Sequence, residues 1–179
     1  MMLNLFQKLK VKYLIKAEFM NLPNWPTYDI EEIESVSKIL KSGRVNYKTG
    51  QVGKEFERKF ASFCGCKYAV AVANGSLALS AAYSSLKLSP GDEFITTPRT
   101  FIATSSTAVL NGLIPIFADV DINTGNITAK SIEPLITEKT KAICVVHIAG
   151  WPADMDEICS LALKYNIKII EDCSQAHGA

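Results

Sequence analysis

The densest chemistry in the sequence lies at its carboxyl end, where Ile169-Ile170 runs into Glu171-Asp172-Cys173-Ser174-Gln175-Ala176-His177. Two acids, an amide and a histidine follow an apolar run within a few positions. A carboxylate held at a strand end can keep a bound heterocyclic nitrogen protonated, because an opposite charge at short range favours the ionised form. The same residue type also caps turns, and Asp172 admits both readings. A second group is Asn74-Gly75-Ser76, directly before an apolar helical pattern. There the free N–H groups and positive end of a helix would face an anion, with Gly75 allowing close approach and the Ser76 hydroxyl adding a donor. A turn followed by an ordinary N-cap has the same sequence. Phe101, after Pro98-Arg99-Thr100, could stack on a planar ring or fill a core. His147, ahead of Gly150-Trp151-Pro152, fits a satisfied buried histidine as well as a participant.

Elements must bring these groups together. From Asp29 the apolar residues Ile30, Ile33, Val36 and Leu40 fall at helical steps, with Asp29 as N-cap and Gly43 as terminator. A second helix is predicted over Gly53–Phe63, and the polar Gly43–Gly50 segment between them is a candidate binding loop. Beyond Lys67, short apolar runs alternate with helical ones. Strands are predicted at Tyr68–Ala73, Glu93–Thr97, Ile114–Ala118, Ala142–Ile148 and Ile167–Glu171. Helices are predicted at Leu77–Leu88, Phe101–Leu110, Ala129–Ile136 and Met155–Tyr165. Strands apolar throughout suit a sheet covered on both faces, so the order argues an α/β fold with a mostly parallel sheet flanked by helices. In such sheets ligands bind beyond the carboxyl ends of the strands, where the polar groups above fall.

Composition narrows the function. The 179 residues carry 19 Lys+Arg against 18 Asp+Glu, a net charge of +1, and are 48% hydrophobic. This balance excludes bulk electrostatic nucleic-acid binding, and the apolar share excludes disorder. The five cysteines, odd in number and scattered, read as reduced thiols in a cytoplasmic protein, and Cys64-Gly65-Cys66 lacks the spacing of a metal site. No metal is expected. Residues 1–19 form a basic amphipathic extension with no secretory pattern and no membrane-spanning length. The organisation expected is this extension, a helical segment over 20–66, and an α/β domain over 67–179. No G-x-G-x-x-G follows the first predicted strand, against a dinucleotide-dependent dehydrogenase.

From about Leu22 to Ala179 the chain resembles the DegT/DnrJ/EryC1/StrS family of pyridoxal-phosphate-dependent nucleotide-sugar aminotransferases. The resemblance is carried by eight blocks in order. They include Gly43-Arg44-Val45-Asn46, Asn74-Gly75-Ser76-Leu77-Ala78-Leu79, Thr100-Phe101-Ile102-Ala103-Thr104, His147-Ile148-Ala149-Gly150-Trp151-Pro152 and Glu171-Asp172-Cys173-Ser174-Gln175. It implies the large domain of the aspartate-aminotransferase architecture (fold type I), incomplete here, with pyridoxal 5'-phosphate as cofactor. Gly75, Ser76 and Leu77 would hold the phosphate, Phe101 would stack on the ring, Asp172 would pair with the ring nitrogen, and Gln175 would lie beside the ring hydroxyl. The implied reaction moves an amino group, usually from glutamate, to a keto sugar on a nucleotide, in a homodimer or with a second chain completing the site. The family's Schiff-base lysine lies beyond the Asp-x-x-Gln segment, and no lysine follows Lys168 in this sequence. The expectation is therefore a cofactor floor without a catalytic residue of its own. A related sugar dehydratase, with histidine in the lysine's place, and a non-catalytic remnant or binding module are the alternatives.

Overall fold

The structure, a computed structural model, describes residues 26–179. They fall into two compact units divided between Ala69 and Val70. The basic extension of residues 1–19 lies outside the described residues.

In the first unit, helix α1 (Ile30–Ser42) opens with a reciprocal capping box: the Glu32 N–H donates to Asp29 Oδ1 and the Asp29 N–H to Glu32 Oε2, both at 2.8 Å. Gly43 closes it at φ 67°, a left-handed turn that glycine adopts without steric cost. Helix α2 (Val52–Phe63) follows the polar loop. That loop is tightly built, since a side chain on Gly50 would sit 2.8 Å from the Arg44 carbonyl oxygen, and the Tyr47 hydroxyl donates to Glu57 at 2.8 Å.

The second unit alternates helices and strands: α3 (Gly75–Ser85), β1 (Glu93–Thr96), α4 (Ala103–Leu110), β2 (Ile114–Phe117), α5 (Ala129–Ile132), β3 (Thr140–Val146), α6 (Met155–Tyr165) and β4 (Lys168–Asp172). The four strands form one parallel sheet in the order β2-β1-β3-β4. Alternate side chains along β1 and β3 enter opposite layers. Phe94, Ala142 and Cys144 pack with Leu79 and Tyr83 of α3 and Ala103 and Ala108 of α4. Ile95, Ile143 and Val145 pack with Ile132 of α5 and Ile158, Leu161 and Ala162 of α6. Tyr83 anchors the first layer: its ring meets Phe94 edge-on at 5.3 Å, and its buried hydroxyl donates to the Thr104 carbonyl at 2.8 Å.

One predicted element is absent. Tyr68–Ala73 has no regular secondary structure, and Tyr68, Val70 and Val72 are exposed. An apolar β-rich run becomes a strand only as half of a ladder, and none of the four strands lies in register with it. Smaller differences sit at element ends: α4 begins at Ala103 rather than Phe101, and the Ala129–Ile136 helix tightens to a 3₁₀ turn at Glu133–Leu135, where Pro134 has no N–H to give.

Candidate functional site

The connections after β1 and β3 leave the sheet on opposite faces, β1 toward α4 and β3 toward α6. A crevice opens at the carboxyl ends of these neighbouring strands, at the switch point of the topology. A cavity of about 480 Å³ occupies that crevice. Asn74, Gly75 and Ser76 line one part of it, Thr100, Phe101 and Thr104 another, and His147, Asp172, Ser174 and Gln175 the rest. The two groups that the sequence offers for an anion and for a ring nitrogen thus open into one space.

At the turn before α3, Asn74 is in extended conformation and caps the helix, with the Leu77 N–H donating to Asn74 Oδ1 at 3.0 Å. That bond engages the Leu77 amide, and Leu77 is not among the residues lining the cavity. Gly75 and Ser76 do line it, and their N–H groups have no hydrogen-bond partner among the described residues. They are the first donors of the helix, the orphan groups that an anion satisfies. A side chain on Gly75 would reach within 3.8 Å of Ser174 Oγ, so the turn lies directly against the segment that follows β4.

At the carboxylate end, Asp172 is the last residue of β4. Its Oδ1 accepts from the Ser174 N–H at 3.1 Å and the Ser174 hydroxyl at 2.5 Å, so it does cap the following turn. Among the described residues its Oδ2 accepts only from Thr104 Oγ1, at 3.3 Å, which leaves that oxygen with capacity for a further donor. Thr104 is buried and also bonded to Thr100 at 3.0 Å. One oxygen of the carboxylate is therefore committed to capping the turn, and the other keeps capacity for a donor from the cavity. Thr104 and Ser174 are the parts that sequence reasoning missed; the four-residue step from Thr100 to Thr104 across a helix start was the available signal.

Phe101 is 73% exposed at the cavity mouth, so it is not a core phenylalanine. Gln175 accepts from the Ala149 N–H through Oε1 at 2.7 Å, and its amide NH₂ has no partner among the described residues. His147 is 4% exposed and satisfied at both ring nitrogens. The Ala153 N–H donates to Nδ1 at 3.0 Å, which places the ring proton of the neutral form on Nε2, facing Glu171 Oε2 at 3.1 Å. Cys173 lies in the same neighbourhood, but with Nδ1 accepting and Nε2 protonated this histidine has no lone pair for an ion. None of the five cysteines forms a disulfide.

The residues fit the cofactor inferred from sequence: orphan amide donors, an exposed aromatic face, an amide NH₂ and a carboxylate oxygen with spare capacity surround one cavity. Sheet, crevice and cavity define the class, a partial large domain of a fold type I pyridoxal-phosphate enzyme. The chain belongs to the DegT/DnrJ/EryC1/StrS aminotransferase family, whose model matches residues 26–179. It is 45% identical over 152 residues to a dTDP-3-amino-3,6-dideoxy-alpha-D-galactopyranose transaminase of Aneurinibacillus thermoaerophilus, covering 85% of this chain and 41% of that protein. Its fold is similar to an aminotransferase from Psychrobacter cryohalolentis, at TM-score 0.85 and 52% identity, over 88% of this chain and 40% of that one. It is also similar to an E. coli GDP-4-keto-6-deoxy-D-mannose-3-dehydratase with bound hydrated PLP, at TM-score 0.74 and 34% identity, over 82% of this chain and 39% of that one. The chain therefore spans about two-fifths of the length of these relatives. Among the described residues no helix is long and apolar enough to cross a membrane.

Proposed function

We propose that this chain is the cofactor floor of a pyridoxal-phosphate-dependent aminotransferase that moves an amino group, from glutamate, to a keto sugar carried on a nucleotide. The observation that carries the reading is the shared cavity, with Asp172 and the Asn74-Gly75-Ser76 turn on its walls and Phe101 and Gln175 beside them. Gly75 and Ser76 donate N–H groups, and Ser76 its hydroxyl, to the phosphate. Asp172 Oδ2 holds the proton on the ring nitrogen, Phe101 covers a ring face, and the Gln175 NH₂ donates to the ring hydroxyl. The cofactor, when bound, supplies the electron sink for a carbanion next to nitrogen. The lysine that anchors it covalently and moves the proton comes from chain outside these 179 residues. Association with a second copy or a second chain completes the site. A sugar dehydratase is the second reading, supported by the likeness to the E. coli enzyme; it differs in the residue at the lysine position.

Borohydride trapping tests this. The 179-residue chain mixed with pyridoxal phosphate should bind it reversibly and carry no label after reduction. A longer product that includes the sequence following Ala179 should retain one label per chain if it is an aminotransferase. A longer product that binds the cofactor without label favours the dehydratase, and failure of both products to bind removes the proposal.

A further inference from the structure

The loop after β3 has two residues in succession with left-handed backbone, Ala149 at φ 54° and Gly150 at φ 81°. For alanine this conformation is unfavourable and persists only where the surroundings impose it. One buried side chain bonds both ends of the turn. Asn126, 2% exposed and in the loop after β2, accepts from the Ile148 N–H through Oδ1 at 3.2 Å and donates through Nδ2 to the Trp151 carbonyl at 2.8 Å. Its amide thus closes on both ends of the turn, as a neighbouring strand's backbone would. The Trp151 N–H donates to the Ile148 carbonyl at 3.0 Å and completes the closure. What the turn presents is the Ala149 N–H, which donates to Gln175 Oε1 at 2.7 Å. Gly150 packs against the same residue, since a side chain there would meet the Gln175 carbonyl oxygen at 3.0 Å.

We propose that Asn126 is a positioning residue that acts through the Ile148–Trp151 turn to orient Gln175, so that the Gln175 amide offers its NH₂ and not its oxygen to the cavity. The ligand end it prepares is an acceptor oxygen on a planar ring, which makes the inference rest on the cofactor reading above. Asn126 itself does not line the cavity. Of its backbone groups, the carbonyl accepts from the Asp121 N–H at 2.9 Å, so the loop that carries it is held independently of the turn it clamps.

Two measurements on the 179-residue chain test it. The first needs no ligand: amide hydrogen exchange at Ala149, followed by NMR. Asn126→Ala should speed exchange there about as much as Gln175→Ala does, and unchanged protection in Asn126→Ala would overturn the proposal. Asn126→Asp, which keeps the acceptor for the Ile148 N–H, stands in if the alanine variant does not fold. The second is titration with pyridoxamine phosphate, which binds without a covalent bond. Asn126→Ala and Gln175→Ala should each weaken binding about tenfold, the scale of one hydrogen bond, and the double variant should lose no more than either single one. Additive losses would mean that Asn126 contributes only to folding, and would also overturn it. Gln175→Glu separates the two halves of the amide, keeping Ala149 protected while losing affinity. If the wild-type chain protects Ala149 yet binds no pyridoxamine phosphate, the cofactor reading fails and the proposed role falls with it; if it binds while Asn126→Ala changes neither measurement, only the role of Asn126 falls.

Discussion

At the scale of single residues, Asp172 shows how the two oxygens of one carboxylate can be placed differently. Oδ1 is spent on Ser174, whereas Oδ2 faces Thr104 with room for one more donor. Asn in its place would still accept from Ser174 through one oxygen and would present a neutral amide to the cavity. The expected outcome of Asp172→Asn is therefore a folded chain whose affinity for pyridoxamine phosphate, followed by fluorescence titration, falls by about 100-fold, the scale of a charge-assisted hydrogen bond. Affinity equal to wild type would show that the ring nitrogen does not sit at Asp172. His147 carries the opposite lesson. Its position beside the cavity invites a chemical role, but both nitrogens are committed within the fold, and its contribution is to hold Ala153 and Glu171 in place.

Among the elements, helix α3 takes part of its stability from one side chain that also lines the cavity. Asn74 caps it by accepting the Leu77 N–H, so Asn74→Ala should lower unfolding free energy by about 1 kcal/mol, read from urea denaturation, whereas Asn74→Gly should cost only a few tenths. A loss in the glycine variant as large as in alanine would mean that Asn74 is held by something other than the cap. The elements also show what the sequence could disclose. Helix α1, with Asp29 and Gly43 at its ends, and the four paired strands were legible because capping chemistry and apolar runs are local signals. Phe101 and Asp172 were legible as site candidates because they follow apolar strands, where α/β sheets bind ligands. The contact of Thr104 with Asp172 and the Asn126 clamp join residues distant in sequence, which no local pattern encodes, whereas the Leu77 amide is engaged by the Asn74 cap, a local signal. Tyr68–Ala73 failed for the complementary reason: its composition reports an aptitude for pairing, and pairing needs a second strand.

Taken as a whole molecule, the layer between the sheet and helices α3 and α4 holds two acidic protons in a dry interior. Burial pushes the Cys144 thiol from 9.0 up to about 12, and burial first, with Cys144 beside it, drives the Tyr83 hydroxyl well above the usual tyrosine range. Both groups fold in their neutral forms. The folded state keeps its full advantage below the pKa that each group has in the unfolded chain. As the pH rises above 9.0 the unfolded thiol ionises first, and stability declines until about 12, by at most about 1.4 kcal/mol per pH unit from this group. Urea midpoints measured across this range should fall more gently for Cys144→Val than for the wild-type chain. Parallel curves for the two proteins would show that the thiol does not contribute.

The strand order has a further consequence, for synthesis on the ribosome. β1 gains one neighbour when β2 emerges, yet its other edge waits for β3, which crosses back over it. Until Thr140–Val146 has been made, Phe94 and Ile95, both fully buried in the finished sheet, lack part of their cover. A nascent chain stalled before that point would present a half-sheathed apolar strand to its surroundings, the kind of surface that holding chaperones engage.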